Sequence, residues 1–198
     1  MYNSGYVRSV VFGAPCFEPK ESSTLPDLLD LRNQVGPAID QGVRGICVSA
    51  CVTDMLKYIY AGTEQKYKKP VDFFYNRRGD KKVDGMSPRN AFEIAQANGL
   101  IHSYATLKSI LAIKIAMLAN GPVLIALPVY QLDSDFWRKR EPNDKPQGYH
   151  AVTLAGFCEK DQEFLLRNSW GVTWGLEGYS YFPYRDQDLI MEAWTIFK

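Results

Sequence analysis

Apolar residues return every three or four positions from Val48 through Cys51, Val52, Met55, Leu56 and Ile59, which predicts an amphipathic helix opening at about Cys47 with Gly62 as its C-cap glycine. Ahead of it, Leu25 to Gln41 reads as extended and turn-rich, broken by Pro26, Gly36 and Pro37. Ser87-Pro88 signals a second helix, an N-cap residue followed by proline at the first helical position; it carries Ala91, Phe92 and Ala95 inward and stops at Gly99. A third helix is expected from about Thr106 to Asn120, with Leu107, Ile110, Leu111, Lys114 and Leu118 giving it two faces.

The period changes after Gly121-Pro122. Val123 to Val129 is a short apolar strand, followed by a polar, proline-bearing loop from Tyr130 to Gln147. Tyr149 to Phe157, a turn over 159–162, and Phe164 to Arg167 predict a β-hairpin; Tyr179 to Phe182 and Trp194 to Phe197 are further strands. Helices first and antiparallel strands second indicate an α+β protein with its site in a cleft between the halves. The expected division is an extension over residues 1–24 and one domain over 25–198, helical to about 121 and β beyond.

Composition narrows the function. The chain has 198 residues, 46% hydrophobic and 23% charged, enough for a sizeable core. A formal net charge of +1 argues against a nucleic-acid-binding or anionic-membrane-binding protein, and no apolar run reaches the length of a membrane span. Lysines and arginines cluster between Lys66 and Lys82, which reads as a solvated loop surface. The N-terminus lacks an apolar h-region, and Cys16, Cys47, Cys51 and Cys158 are too scattered for a disulfide framework. Together these point to a reducing, intracellular setting, with secretion left open.

With only two histidines and no CxxC or HxxxH spacing there is no zinc signature, and no glycine-rich phosphate loop is present. Cys47 follows a glycine-punctuated turn (Gln41-Gly42-Val43-Arg44-Gly45-Ile46) and opens a helix, where the positive helix end favours a thiolate. A buried core cysteine is the bland alternative. His150 lies in one predicted strand and Asn168 at the far end of the next, so they can face each other. An asparagine accepting the imidazole N–H would fix the tautomer, and Trp170 nearby could shield that bond from water.

Four blocks carry a resemblance. LPDLLDLR followed by QGVRGICVSAC, then VDGMSPRNAFEIAQANGL, GYHAVTLAGF and RNSWGVTWGLEGY are similar, in that order, to segments of papain-family cysteine peptidases, over about Leu25 to Phe197. The resemblance implies a papain-like fold, a helical lobe carrying Cys47 packed against a β lobe carrying His150 and Asn168. It implies Cys47 as nucleophile, His150 as base and then acid, Asn168 as orienter, and the Gln41 side chain with the Cys47 N–H as oxyanion hole. Gly85 and Met86 would pair with an extended substrate, Trp174 would flank the leaving group, and Trp170 would support the histidine. No metal or cofactor is called for, and the expected partner is a polypeptide met by a monomer. In thiolate–imidazolium pairs of this type the cysteine pKa is expected at about 3–4.

The departures concern substrate preference, and they resemble a bacterial, viral or otherwise non-lysosomal branch, which implies a cytoplasmic or virus- or host-cell-associated setting. Ile46 precedes the cysteine where the family has serine, Val48 follows it, Arg44 replaces a disulfide cysteine of secreted relatives, and paired glycines become Gly85-Met86. Two alternatives stay open: a silent, peptide-binding or structural relative, and a thiol amidase or isopeptidase on the same fold. Residues 1–24 contain Tyr2, Tyr6, Val10, Val11, Phe12 and Phe17, enough apolar surface to dock as an ordered arm on the body of the domain; a gate over the cleft, a structural strap and a mobile tail stay open as its role.

Overall fold

A computed structural model describes residues 5–9, 14–18, 25–61, 63 and 66–198. Its centre is strand β3, Val123–Val129, buried along its whole length. Val123, Ile125, Leu127 and Val129 face one apolar cluster while Leu124 and Ala126 face another, because both sides of the sheet are covered. The other strands are β1 (Leu28–Asp30), β2 (Ser103–Thr106), β4 (Gly148–Cys158), β5 (Glu163–Arg167), β6 (Tyr179–Pro183) and β7 (Glu192–Phe197). All pairs are antiparallel in the order β2-β7-β3-β4-β5-β6, with β1 joined to β4. Strand β4 is bulged in its register with β5 between Leu154 and Phe157; before the bulge it pairs with β3, and after it with β1.

The helices are α1 (Arg32–Val35), α2 (Cys47–Tyr60), α3 (Pro88–Ala97) and α4 (Ile110–Asn120). α2 and α3 pack on the face holding Leu124, Ala126, Ala151, Trp194 and Ile196, and α4 on the opposite face. The α+β mixture is as expected, and the Ser87 side chain caps α3 by accepting the Asn90 N–H. The C-cap expected at Gly62 lies outside the described residues.

Three expectations change. The third helix does not begin near Thr106: that residue pairs with Trp194 in β2, and Ser109 caps α4 through the Ala112 N–H at 3.1 Å. Its faces differ too, since Leu111 and Leu118 are exposed while Ala112, Ile113, Ala116 and Met117 are buried. Lys114 joins that buried face because its ammonium meets Glu159 at 2.6 Å and lies 4.2 Å from the Tyr184 ring centre. Finally, the polar loop after β3 buries Phe136 and Trp137 completely, and β1 and β2, from the first half of the chain, extend the sheet of the second.

One buried ion pair joins helix to sheet. Arg167, the last residue of β5, donates Nε to Asp54 of α2 at 2.7 Å and a terminal nitrogen to the other carboxylate oxygen at 3.1 Å. The same guanidinium donates to the Gly36 carbonyl (2.8 Å), the Pro37 carbonyl (2.6 Å) and the Tyr179 hydroxyl (2.6 Å). All five N–H donors are thereby used, which is what permits an arginine with no exposed side-chain surface. Asp54→Ala would leave that charge buried and unpaired. It is expected to lower unfolding stability by about 3–5 kcal/mol in urea melts; a loss under about 1 kcal/mol would mean the pair does not hold α2 to the sheet.

Candidate active site

The turn before α2 is built by hydrogen bonds to the segment after β5. Gln41 N–H donates to the Ser169 carbonyl (2.8 Å) and Gly171 N–H to the Ile39 carbonyl (3.0 Å). Gly42 adopts φ 57°, a left-handed turn closed by the Asp40 carboxylate on its N–H at 2.9 Å. The buried Gln41 amide is fixed on both sides, Nε2 donating to the Arg44 carbonyl (3.1 Å) and Oε1 accepting from the Ser169 hydroxyl (2.6 Å). At the N-terminal end of α2 no side chain caps the helix. The N–H groups of Cys47 and Val48, and that of Ala151 from β4, instead favour negative charge on the Cys47 sulfur.

His150 precedes Ala151 in β4, and its Nε2 lies 2.8 Å from Asn168 Oδ1. That oxygen also accepts the Ser169 N–H at 2.8 Å, so it is the acceptor and His150 Nε2 carries the proton. Nδ1 is then the basic nitrogen, buried and without a hydrogen-bond partner among the described residues. Trp170 stacks on the imidazole with ring centres 4.8 Å apart, and Phe136 meets it edge-on at 5.6 Å. Trp174 stands perpendicular to Trp170 at 5.6 Å. Phe136 comes from the loop after β3; an aromatic pair, Phe136-Trp137, inside a polar stretch was the available signal for it.

Gly85 and Met86, expected to pair with an extended substrate, are already in contact with the N-terminal arm. Met86 N–H donates to the Gly5 carbonyl (2.9 Å) and Val7 N–H to the Met86 carbonyl (3.1 Å), a parallel bridge centred on Tyr6. Gly5 also directs its N–H at the Cys47 sulfur. Contact is backbone to backbone: a Cβ on Gly5 would fall onto the Gly45 backbone, and one on Gly85 onto the Gly5 carbonyl. A cavity of about 330 Å³ opens beside the arm, lined by Val7, Val83, Gly85, Met86 and Ser87 among others. Further along, Cys16 and Thr106 form a second parallel bridge, with Phe17 N–H on the Thr106 carbonyl (2.9 Å) and Thr106 N–H on that of Pro15 (2.9 Å). Tyr2, Val10, Val11 and Phe12 lie outside the described residues.

The model of the papain family cysteine protease matches residues 41–193. An uncharacterized peptidase C1-like protein of Acanthamoeba polyphaga mimivirus is 34% identical over 94 residues, 42% of this chain and 30% of that protein. Peptidase 1 of Dermatophagoides farinae is 26% identical over 174 residues, 85% of this chain and 49% of that protein. The chain thus spans half or less of these relatives' lengths. Among solved structures, xylellain, a cysteine protease from Xylella fastidiosa, superposes with a TM-score of 0.82 at 19% identity, covering 98% of this chain and 95% of that one, a likeness of fold. No helix among the described residues is long and apolar enough to cross a membrane.

The covered site departs from the expected low thiol pKa. Burial pushes the Cys47 thiol from 9.0 up to about 11, against the N–H groups that favour the thiolate. Burial likewise pushes His150 from 6.5 down to about 4, with Asn168 opposing. Both groups are wholly buried, so the arm-covered pair is thiol and neutral imidazole. For a lowered histidine the folded chain holds fewer protons than the unfolded one between pH 6.5 and about 4, and stability falls as pH falls through that window. The raised thiol contributes stability below pH 9.0 that is lost as pH rises through about 11. Urea melts should therefore show wild type losing about 3 kcal/mol more than His150→Gln between pH 6.5 and 4. Parallel curves for the two proteins would contradict the buried neutral histidine.

Proposed function

Because the chain belongs to the papain family of cysteine proteases, we propose that it hydrolyses peptide bonds with Cys47 as nucleophile and is held latent by its own N-terminal arm. The observation that carries the reading is the His150–Asn168 bond, which leaves a bare Nδ1 in the residue beside the N–H that faces the Cys47 sulfur. In the uncovered cleft water and substrate dipoles replace the arm. Cys47 passes its proton to His150 Nδ1, and the thiolate at the helix N-terminus attacks the scissile carbonyl carbon. The oxyanion is received by the Cys47 N–H and the Gln41 amide, whose plane is set by Arg44 and Ser169. The C–N bond breaks as His150 Nδ1–H protonates the leaving nitrogen, giving a thioester and a free amine. Water then gives a proton to Nδ1 and its oxygen to the acyl carbon; the acid departs and the thiol is restored.

Asn168 keeps Nε2 protonated throughout, and Trp170 stacked on the ring excludes water from that bond. Gly85 and Met86 offer the edge on which the acyl side of the substrate lies extended, and Trp174 flanks the leaving group. The arm occupies that edge without being cut, since it presents an N–H rather than a carbonyl carbon to the sulfur. Residues 1–24 act as the latch and 25–198 as the peptidase body. We place this activity in a monomer acting on polypeptides where thiols stay reduced, which suits four free cysteines.

A fluorogenic peptide assay tests both halves. Cys47→Ala is expected to lower turnover by about 10⁴-fold or more, with Asn168→Ala less severe because both reacting groups remain. Gly5→Val, whose side chain cannot fit against Gly45, should raise kcat/KM of the full chain by about tenfold or more by freeing the cleft. Turnover surviving Cys47→Ala would refute the nucleophile; an unchanged or lower rate in Gly5→Val would refute the latch.

A further inference from the structure

Positive charge is concentrated in one stretch of the helical half. From Lys66 to Lys82 seven lysines and arginines stand against two aspartates, a net +5 in a chain whose total is +1, so the remainder is net negative. Like charges held together repel, and elsewhere exposed arginines are paired: Arg32 with Asp30, Arg89 with Glu93, Arg140 with Asp133 and Asp135. Here the acids are already engaged. Asp72 is taken by Arg44 at 3.0 Å, and Asp80 accepts the Lys82 backbone N–H at 2.8 Å. Among the described residues Lys69, Arg77, Lys81 and Lys82 meet no carboxylate. Aromatic rings hold the neighbouring cations in place instead. Arg77 lies 3.8 Å and Lys69 5.5 Å from the Phe73 ring centre, and Arg78 lies 3.6 Å from that of Tyr75. Arg78 also ties the loop together, donating to the carbonyls of Tyr75 (2.8 Å), Lys81 (3.3 Å) and Val83 (3.2 Å).

This basic face continues from the edge formed by Gly85 and Met86, since Arg78, Gly79 and Val83 line the same cavity of about 330 Å³ as those two residues. The docked arm traces the route. Gly5 N–H faces the Cys47 sulfur, Tyr6 bridges Met86, and Val7 lines that cavity. A chain leaving the sulfur along this edge reaches Arg78 at its third residue. At about 3.3 Å per extended residue, the residues that follow lie within reach of Lys81 and Lys82. The arm brings no carboxylate there, because Val7 is followed by Arg8 and Ser9. We propose that the basic face over residues 69–82 is an exosite that binds acidic stretches of polypeptide, several residues upstream of the cleaved bond. Lysine ammoniums are point charges that take a carboxylate from any direction, so the face selects density of negative charge rather than a sequence. An extended polypeptide, rather than a nucleic acid, is what the adjoining backbone edge can hold. The effect on cleavage rests on the peptidase reading; the binding belongs to the face itself.

The first measurement needs no turnover, and so separates the exosite from the peptidase reading. A fluorescently labelled oligoglutamate peptide is titrated at low salt with the full-length Cys47→Ala protein, whose basic face is exposed with the arm in place. It should bind, and the triple variant Lys69→Gln/Lys81→Gln/Lys82→Gln should weaken binding by about tenfold or more. These side chains are exposed, so the variant is expected to fold as the parent does, which its melting temperature checks. Equal binding by parent and variant overturns the exosite. Tighter binding of heparin or single-stranded DNA than of oligoglutamate at the same salt overturns the assignment to polypeptide. The second measurement uses the full chain carrying Gly5→Val and two fluorogenic peptides alike at the cut, with Glu or Gln at the fourth to sixth residues before it. The Glu peptide should show the higher kcat/KM by about tenfold, mainly through KM because the contacts are remote from the reacting bond. That ratio should fall towards one in the triple variant and at about 1 M salt, where charges are screened beyond about 3 Å. A ratio near one in the parent, or one unmoved by the three substitutions, contradicts substrate selection by this face.

Discussion

A charge that cannot be solvated sets the frame of this protein. Arg167 has no exposed side-chain surface, and its five donors can be satisfied together only if α2, the Gly36-Pro37 turn and Tyr179 all come to the end of β5. Removing one partner from such a cluster is far more destabilising than never having built it, because the remaining charge has nowhere to go. Asp54 is two turns along the helix from Cys47, and Asn168 is the residue after Arg167. The same pair that joins helix to sheet therefore fixes the distance between the helix of the proposed nucleophile and the strand end whose asparagine bonds His150. Position in the site follows from an interaction outside it.

Burial is the second constraint, and it acts on chemistry rather than on shape. Helix N-terminal N–H groups favour a Cys47 thiolate, yet with Gly5 and Tyr6 packed over the cleft desolvation outweighs them, and both members of the pair are held neutral. The proposed latency then has two layers. The arm fills the cleft edge, and its presence also removes the solvent that charge separation needs. Three glycines allow this, since Gly5, Gly45 and Gly85 meet backbone to backbone where side chains would hold the arm away. The arm is anchored at its other end by the Thr106 bridge and by Phe17 against Phe197 at 6.2 Å.

Much of this was legible in the sequence, for identifiable reasons. Strands β3 to β7 and helices α2 and α3 follow from local period, and Ser87-Pro88 and Gly99 mark the ends of α3 because capping is a local matter. The juxtaposition of Cys47, His150, Asn168 and Gln41 was accessible through the family resemblance and the hairpin between His150 and Asn168. What local pattern could not carry was anything decided by a distant partner. Lys114 looked like part of a polar stripe and is buried because Glu159 waits for it. Nothing local marks Asp54 for burial, which the distant Arg167 explains. The low thiol pKa assumed an open cleft, and the arm's route over it depends on a meeting of glycines separated by 40 residues or more.

The claim on which the rest turns is that the arm, by burying the pair, keeps Cys47 protonated. Thiolate absorbance in the ultraviolet, recorded against pH for the full chain and for the Gly5→Val protein with the matching Cys47→Ala proteins subtracted, measures this directly. The account expects the docked form to ionise near pH 11 and the Gly5→Val form to do so below the ordinary cysteine range of about 8.5. Coincident titrations of the two proteins would contradict it.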